Sequence, residues 1–152
     1  MTLNAVFCYI KKNGVFIPLR RELVILTAFV FWAIMVAIAI ANGFFAEKFL
    51  APRIGDYASH LYKSFLIIAV IFTGAYIYIS RFALPPLYSS AMKTGLLWLS
   101  CSITFEFIIG HYLFGFSWER LFADYRIWEG RLWSLVLASE VAAPLFFAWL
   151  AR

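Results

Sequence analysis

Four long apolar stretches alternate with shorter polar segments along this chain. The stretches run from Leu23 to Phe45, from Leu61 to Ile79, from Gly95 to Phe116 and from Leu132 to Leu150. Each is close to the length of about 20 apolar residues that an α-helix needs to cross the hydrocarbon core of a bilayer. The pattern predicts an all-α fold, an integral membrane four-helix transmembrane bundle at residues 22–152, preceded by a separate N-terminal segment at residues 1–21.

Composition agrees with a lipid environment. Hydrophobic residues make up 64% of the chain and charged residues 14%, whereas soluble domains are about 45–50% apolar and about 25% charged. The net charge of +5 does not indicate nucleic acid, because the basic residues lie at the ends of the apolar stretches, where they can face lipid head groups. The two cysteines, Cys8 and Cys101, form no CxxC pair, and we expect Cys101 to be a free buried thiol.

The basic residues also predict an orientation. Lys11, Lys12, Arg20 and Arg21 all precede the first apolar stretch. Lysine and arginine favour the cytoplasmic side, and the first span usually dominates the orientation of the rest. We therefore expect both termini to lie in the cytoplasm.

The polar connections differ in character. Pro85 and Pro86, followed by two serines, predict a short turn that holds the second and third helices as antiparallel neighbours. After the third stretch, Ser117 can cap a short interfacial helix that carries several aromatic residues. This helix is interpreted as part of an aromatic belt at the membrane surface, with a lid over a ligand as the alternative.

The N-terminal segment departs from the helical pattern. Two short β-prone runs, Ala5 to Ile10 and Val15 to Leu19, are separated by a connection that contains Asn13-Gly14. Asn-Gly is the strongest short hairpin signal in a sequence. The segment therefore predicts a short β-hairpin, with a disordered tail as the alternative.

Two carboxylates lie near the middle of the last two stretches. An ionisable group in hydrocarbon costs about 3 kcal/mol on insertion scales, so it is retained with a partner, a water-filled cavity or a function. At 1.5 Å per residue, Glu106 lies about 17 Å from Gly95, and Glu140 lies about 15 Å from Leu150. The antiparallel helices bring both groups to a similar depth, where two neighbouring carboxylates would share one proton. The alternative is that each protonated glutamate only joins two helices by a hydrogen bond.

Neighbouring residues extend this candidate site. Ser102, Glu106 and Gly110 share one helix face at a spacing of four residues. Pro144 follows Glu140 by four residues and has no N–H group. The Glu140 carbonyl thus loses its helical donor and can accept from a side chain, a water molecule or a cation. Glu106, Glu140, Ser102 and Pro144 form the predicted binding set.

His60 and His111 form a separate, weaker candidate. Both are expected near the same membrane interface, because they lie at matching ends of antiparallel spans. A metal ion or a bis-histidine haem would suit such a pair, but two histidines are an incomplete metal set. Hydrogen bonds to head groups or loop carboxylates are the simpler interpretation.

Two segments carry a family resemblance. The segment from Gly43 to His60, which includes LAPRIG, and the segment from Gly115 to Tyr125, GFSWERLFADY, resemble parts of uncharacterised small bacterial four-span inner-membrane proteins. The resemblance implies a multi-pass protein of the bacterial inner membrane and implies no activity. The size is also similar to that of small multidrug transporters, but their key glutamate lies in the first span, which has no acidic residue here. Four-span glutathione-transferase-like membrane enzymes are of similar size, but their Arg- and Asn-bearing motifs are absent.

These observations favour a membrane protein that binds or moves a proton, a cation or a small amphipathic molecule at Glu106 and Glu140. The runner-up is a non-catalytic scaffold subunit of a larger membrane complex. A membrane-embedded enzyme, or a haem or metal redox subunit, comes third, because no nucleophile–base pair, phosphate loop or complete metal set is visible. The expected partners are the lipid bilayer and either further copies of this chain in a homo-oligomer or a larger membrane complex, and the sequence identifies no cofactor.

Overall fold

The computed structural model describes residues 16–113, 115, 117–123, 125–126 and 132–151, and all regular secondary structure within them is helical. The α-helices are α1 (Phe16–Phe45), α2 (Ala51–Ile54), α3 (Asp56–Arg81), α4 (Leu87–Phe107), α5 (Trp118–Ala123) and α6 (Trp133–Leu150). Two π-helical segments continue α1 and α4: π1 (Ala46–Leu50) and π2 (Ile108–Leu113). The predicted all-α fold is confirmed.

Four helical stretches are long and apolar enough to cross a membrane. They are Glu22–Ile54, Asp56–Arg81, Leu87–Leu113 and Trp133–Leu150. Each overlaps one of the four predicted spans, although the first extends nine residues past the predicted end at Phe45 and the third begins eight residues before Gly95. Large apolar side chains project outward from them, including Leu26 on α1, Phe65 on α3 and Trp149 on α6, which are 60%, 61% and 64% exposed. An apolar exterior of this extent suits a surface that faces lipid. The division at residue 22 stays a prediction.

The N-terminal hairpin is not supported. Helix α1 begins at Phe16, so four of the five residues of the expected second strand, Val15 to Leu19, are helical. Pro18 does not prevent this, because it lies in the first helical turn, where a backbone N–H has no helical acceptor. The apolar stretch that follows extends this helix without a break. The expected first strand, Ala5 to Ile10, lies outside the described residues.

Helix α6 is packed between α3 and α4, and α1 also packs between α3 and α4 on the other side of the bundle. The order around the bundle is therefore α1, α3, α6, α4. The expectation that the second and third spans are direct neighbours is wrong, because α3 and α4 lie at opposite corners. They meet across the core through the rings of Tyr78 and Trp98, whose centroids are 5.9 Å apart. A short turn brings together only one end of the two helices it joins. Which helices are neighbours depends on how they pack along their whole length.

The turn between α3 and α4 marks one end of the bundle, and we call the other the α5 end. At the α5 end, α2 meets α3 through Gly55 alone, which has a φ of 85°. Glycine adopts this left-handed conformation without a steric penalty. The short helix expected after the third span is present as α5, and the Ser117 carbonyl before it accepts a hydrogen bond from Leu121 N at 3.1 Å.

Candidate functional site

A cavity of about 500 Å³ lies between α1, α3, α4 and α6, and it reaches the α5 end of the bundle. Most of its wall is apolar: Val36, Ala39, Ile40, Ile67, Phe105, Ile109, Leu121 and Val136. Its polar groups come from Asn42, Glu47, His60, Lys63, Ser64, Ser102, Glu106 and Trp133. Small-molecule sites typically have this size and combine an apolar wall with a few polar groups.

Glu106 lines this cavity from α4 and is half-buried. Its Oε2 accepts two hydrogen bonds, from the Tyr125 hydroxyl at 2.6 Å and from Trp133 Nε1 at 2.6 Å. Short hydrogen bonds to a carboxylate are about twice as strong as bonds between neutral groups. Tyr125 follows α5, and Trp133 begins α6. Their hydrogen bonds to Glu106 therefore hold the connection between α5 and α6 against α4. The ring of Phe107 stacks on that of Tyr125 with an interplanar angle of 10°.

Glu140 lies on α6 and is only 6% exposed. Its Oε1 accepts a hydrogen bond from the Ser102 hydroxyl at 2.6 Å. The same Ser102 oxygen accepts a hydrogen bond from Trp32 Nε1 at 2.9 Å. Glu140 Oε2 is buried and has no hydrogen-bond partner among the described residues. One hydrogen-bonded chain thus links α1, α4 and α6 and ends on an unsatisfied carboxyl oxygen.

The two glutamates belong to different hydrogen-bond networks in the part of the chain that the structure describes. Glu106 is held by donors from the α5 end, and Glu140 by Ser102. Ser102 and Glu106 line the same cavity, whereas Glu140 does not line it. Glu140 is therefore connected to the cavity indirectly, through its hydrogen bond with Ser102. A proton shared between the two carboxylates stays a prediction.

Pro144 is buried within α6 and does not line the cavity. The Glu140 carbonyl that it leaves without a helical donor lies at the crossing of α6 with α4. A Cβ atom built on Gly95 would be 3.1 Å from this carbonyl oxygen and 2.8 Å from the Cα of Val141. The carbonyl therefore lies against the backbone of α4, where the absence of a side chain at Gly95 permits a close helix contact.

The two histidines have different surroundings. His60 lines the cavity, and its Nε2 accepts a hydrogen bond from Leu132 N at 3.4 Å. His111 lies on π2, where its ring stacks on that of Trp118 with centroids 4.1 Å apart. Within the described residues, no group of three or more His, Cys, Asp and Glu side chains is placed to hold a metal ion. A metal or haem at these histidines stays a prediction.

Several features of the site were not predicted from the sequence. Glu47 lines the cavity from π1, and the expected Gly110 does so from π2, so two π segments that the sequence did not indicate contribute to the cavity. Such π-helical turns often occur at functional sites. The hydrogen bonds of Trp32 and Trp133 were also missed. The sequence offered only a general indication of these bonds. A buried indole N–H usually donates to a hydrogen-bond acceptor, and the carboxyl group of a glutamate in a membrane span is a strong acceptor.

Comparison with known proteins adds no function. No protein-family model, no curated protein and no solved structure matches this chain. The functional argument therefore depends on the cavity and on the two glutamates.

Proposed function

We propose that this protein binds a small amphipathic molecule in the cavity, with Glu106 as a polar anchor, and moves it, or a proton or cation coupled to it, within the membrane. The observation that carries this proposal is a carboxylate on the wall of a cavity of about 500 Å³ inside a bundle of four membrane-spanning helices. Ionisable groups inside membrane proteins commonly face such cavities and mark the routes of substrates and ions.

The distribution of polar groups supports an amphipathic ligand. Glu47, His60 and Lys63 line the part of the cavity nearest the α5 end, and Lys63 Nζ lies 3.6 Å from Glu47 Oε1. Val36, also on the wall, precedes Glu47 by eleven residues and so lies about 17 Å deeper along the first helix. A molecule with a polar end and an apolar body would match this gradient. A bare cation would use the carboxylates but not the apolar wall.

The proposed location is the bacterial inner membrane, with both termini in the cytoplasm. It is supported by the basic residues before the first span and by the resemblance to small bacterial four-span proteins. In this orientation the cavity reaches the periplasmic side, where α5 lies at the membrane interface. The exposed aromatic residues Trp118 and Phe122 on α5 suit that interface.

The test is native mass spectrometry of the full chain released from bacterial membranes, with lipid and metabolite analysis of what it retains. We expect the wild type to retain a small amphipathic molecule and Glu106→Gln to lose at least part of it. Ala39→Trp should lose it as well, because it fills the cavity and leaves the carboxylate in place. Glu119→Gln is the matched control, because Glu119 is exposed and does not line the cavity. Equal retention by wild type and Ala39→Trp would contradict the proposal.

A scaffold subunit is the second candidate. Among the described residues, the main contacts of helix α1 with the long helices are to α3 and α4, and Leu23 and Ile25 on it are 63% and 59% exposed. This face suits either lipid or a neighbouring membrane protein. The same mass spectra distinguish the two: a stable stoichiometric partner, together with an empty cavity, would favour the scaffold.

A further inference from the structure

We infer that Glu140 is a proton-binding site that exchanges its proton with the cavity through the hydroxyl of Ser102. This inference deepens the proposed function, because it gives the two glutamates separate roles. Glu106 binds the polar end of the ligand. Glu140 binds a proton and is connected to the cavity by its hydrogen bond with Ser102.

The first step is the cost of a charge at Glu140. Its side chain is 6% exposed, Oε1 accepts one hydrogen bond, and Oε2 has no partner among the described residues. An ionised carboxylate needs several donors or a cation when it leaves water. The ion pair found among the described residues joins Lys63 to Glu47, and it does not involve Glu140. Glu140 therefore carries a proton at rest.

The second step is the direction of the hydrogen bonds. The indole N–H of Trp32 is a donor only, so Ser102 Oγ must accept at that contact of 2.9 Å. The hydrogen of Ser102 is then directed to Glu140 Oε1, 2.6 Å away. Because Oε1 is an acceptor, the proton of the resting carboxyl group lies on Oε2. The hydrogen bonds therefore run in one direction, from Trp32 through Ser102 to Glu140.

The third step is exchange. The neighbouring ionisable groups come from three elements. Helix α4 contributes the thiol of Cys101 next to Ser102, and the ionisable groups on the cavity wall are Glu106 from α4, His60 and Lys63 from α3, and Glu47 from π1. For proton release, the Ser102 hydroxyl first turns its hydrogen from Glu140 Oε1 toward a water molecule in the cavity, and the carboxyl group rotates to place its own proton on Oε1. This proton passes to Ser102 Oγ as the Ser102 hydroxyl proton passes to a water molecule in the cavity. Uptake is the reverse, and each event moves one proton and no electrons.

Infrared spectroscopy of the full chain in lipid vesicles tests the site without any ligand. At neutral pH we expect a C=O band of a protonated carboxyl group that is lost in Glu140→Gln and kept in Glu106→Gln. The band should also persist in Ala39→Trp, which separates this inference from ligand binding in the cavity. A band that survives Glu140→Gln, or the absence of any protonated carboxyl band, would overturn the inference.

Transfer to deuterated buffer tests the route. Ser102→Ala should slow the exchange of the Glu140 proton by about a hundredfold, the low end of what a positioned proton-transfer group contributes. Ser102→Thr keeps a hydroxyl group and should restore exchange, which separates the loss of the route from misfolding. Ser139→Ala is the matched control, because this buried serine on α6 donates to the Val136 carbonyl instead. Exchange in Ser102→Ala at the wild-type rate would exclude the serine route.

Discussion

At the residue scale, the contact between α4 and α6 at Gly95 depends on the absence of a side chain. Gly95 lies on α4 where a Cβ atom would be 2.8 Å from the Cα of Val141 on α6. Real Cβ atoms do not approach a backbone atom this closely, so any larger residue would push the helices apart. The contact lies beside the carbonyl that Pro144 frees at Glu140. The position of the Glu140 side chain therefore depends on this crossing.

We expect Gly95→Ala to destabilise the protein by about 1–3 kcal/mol, the usual cost of overpacking a tight interface. The measurement is unfolding in detergent, followed by circular dichroism. Gly43→Ala is the matched control, because an added Cβ there has no atom within 4 Å. Alanine favours a helix over glycine by about 1 kcal/mol, so the control should be neutral or stabilising. Equal effects of the two substitutions would contradict the close crossing.

At the element scale, the connection from α5 to α6 is attached to the bundle by a carboxylate. Tyr125 follows α5 and donates to Glu106 on α4, and Phe107 stacks on its ring. Leu121 on α5 is 3% exposed and lines the cavity. The helix that sequence analysis described as either an aromatic belt or a lid therefore forms part of the cavity wall.

We expect Tyr125→Phe to loosen α5, because the substitution keeps the stacked ring and removes the hydroxyl donor to Glu106. A hydrogen bond contributes about 0.5–1.5 kcal/mol, so backbone amide exchange in residues 117–126 should become faster. The measurement is hydrogen–deuterium exchange with mass spectrometry. Tyr112→Phe is the control, because Tyr112 is 77% exposed. Unchanged exchange in Tyr125→Phe would show that the stacked ring alone holds α5.

At the scale of the whole molecule, the two ends of the bundle differ, and in a membrane they would face different compartments. The α5 end contains both π segments and the polar part of the cavity, and the opposite end contains the turn between α3 and α4. Which compartment each end faces follows from the proposed orientation. This assignment decides the side from which a ligand or a proton reaches Glu106 and Ser102.

We expect reporter fusions after Arg152 to report the cytoplasm and insertions after Gly55 to report the periplasm. The physical reason is the set of basic residues before the first span, which resists translocation. Alkaline phosphatase and a fluorescent protein, each fused at both sites, give opposite readouts and serve as mutual controls. A cytoplasmic signal at Gly55 would reverse the orientation and move the cavity to the cytoplasmic side.

The sequence by itself determined the number, type and approximate limits of the spans. Each span is a continuous apolar run, and in a bilayer such a run must be helical because every backbone polar group needs an internal partner. The sequence also indicated which side chains were unusual, because Glu106 and Glu140 are costly in hydrocarbon. It misjudged the N-terminal run that joins α1, because the β-prone residues there continue directly into an apolar helix.

Only the tertiary structure decided which helices are neighbours and which donor each glutamate has. Side chains that face lipid and side chains that face the bundle are both apolar, so hydropathy does not report helix rotation. Ser102 was chosen for its spacing from Glu106, yet its hydroxyl donates to Glu140. That contact depends on the rotation of α4 and on the close crossing at Gly95. The cavity likewise arises from the positions of four helices, and no single stretch of sequence encodes it.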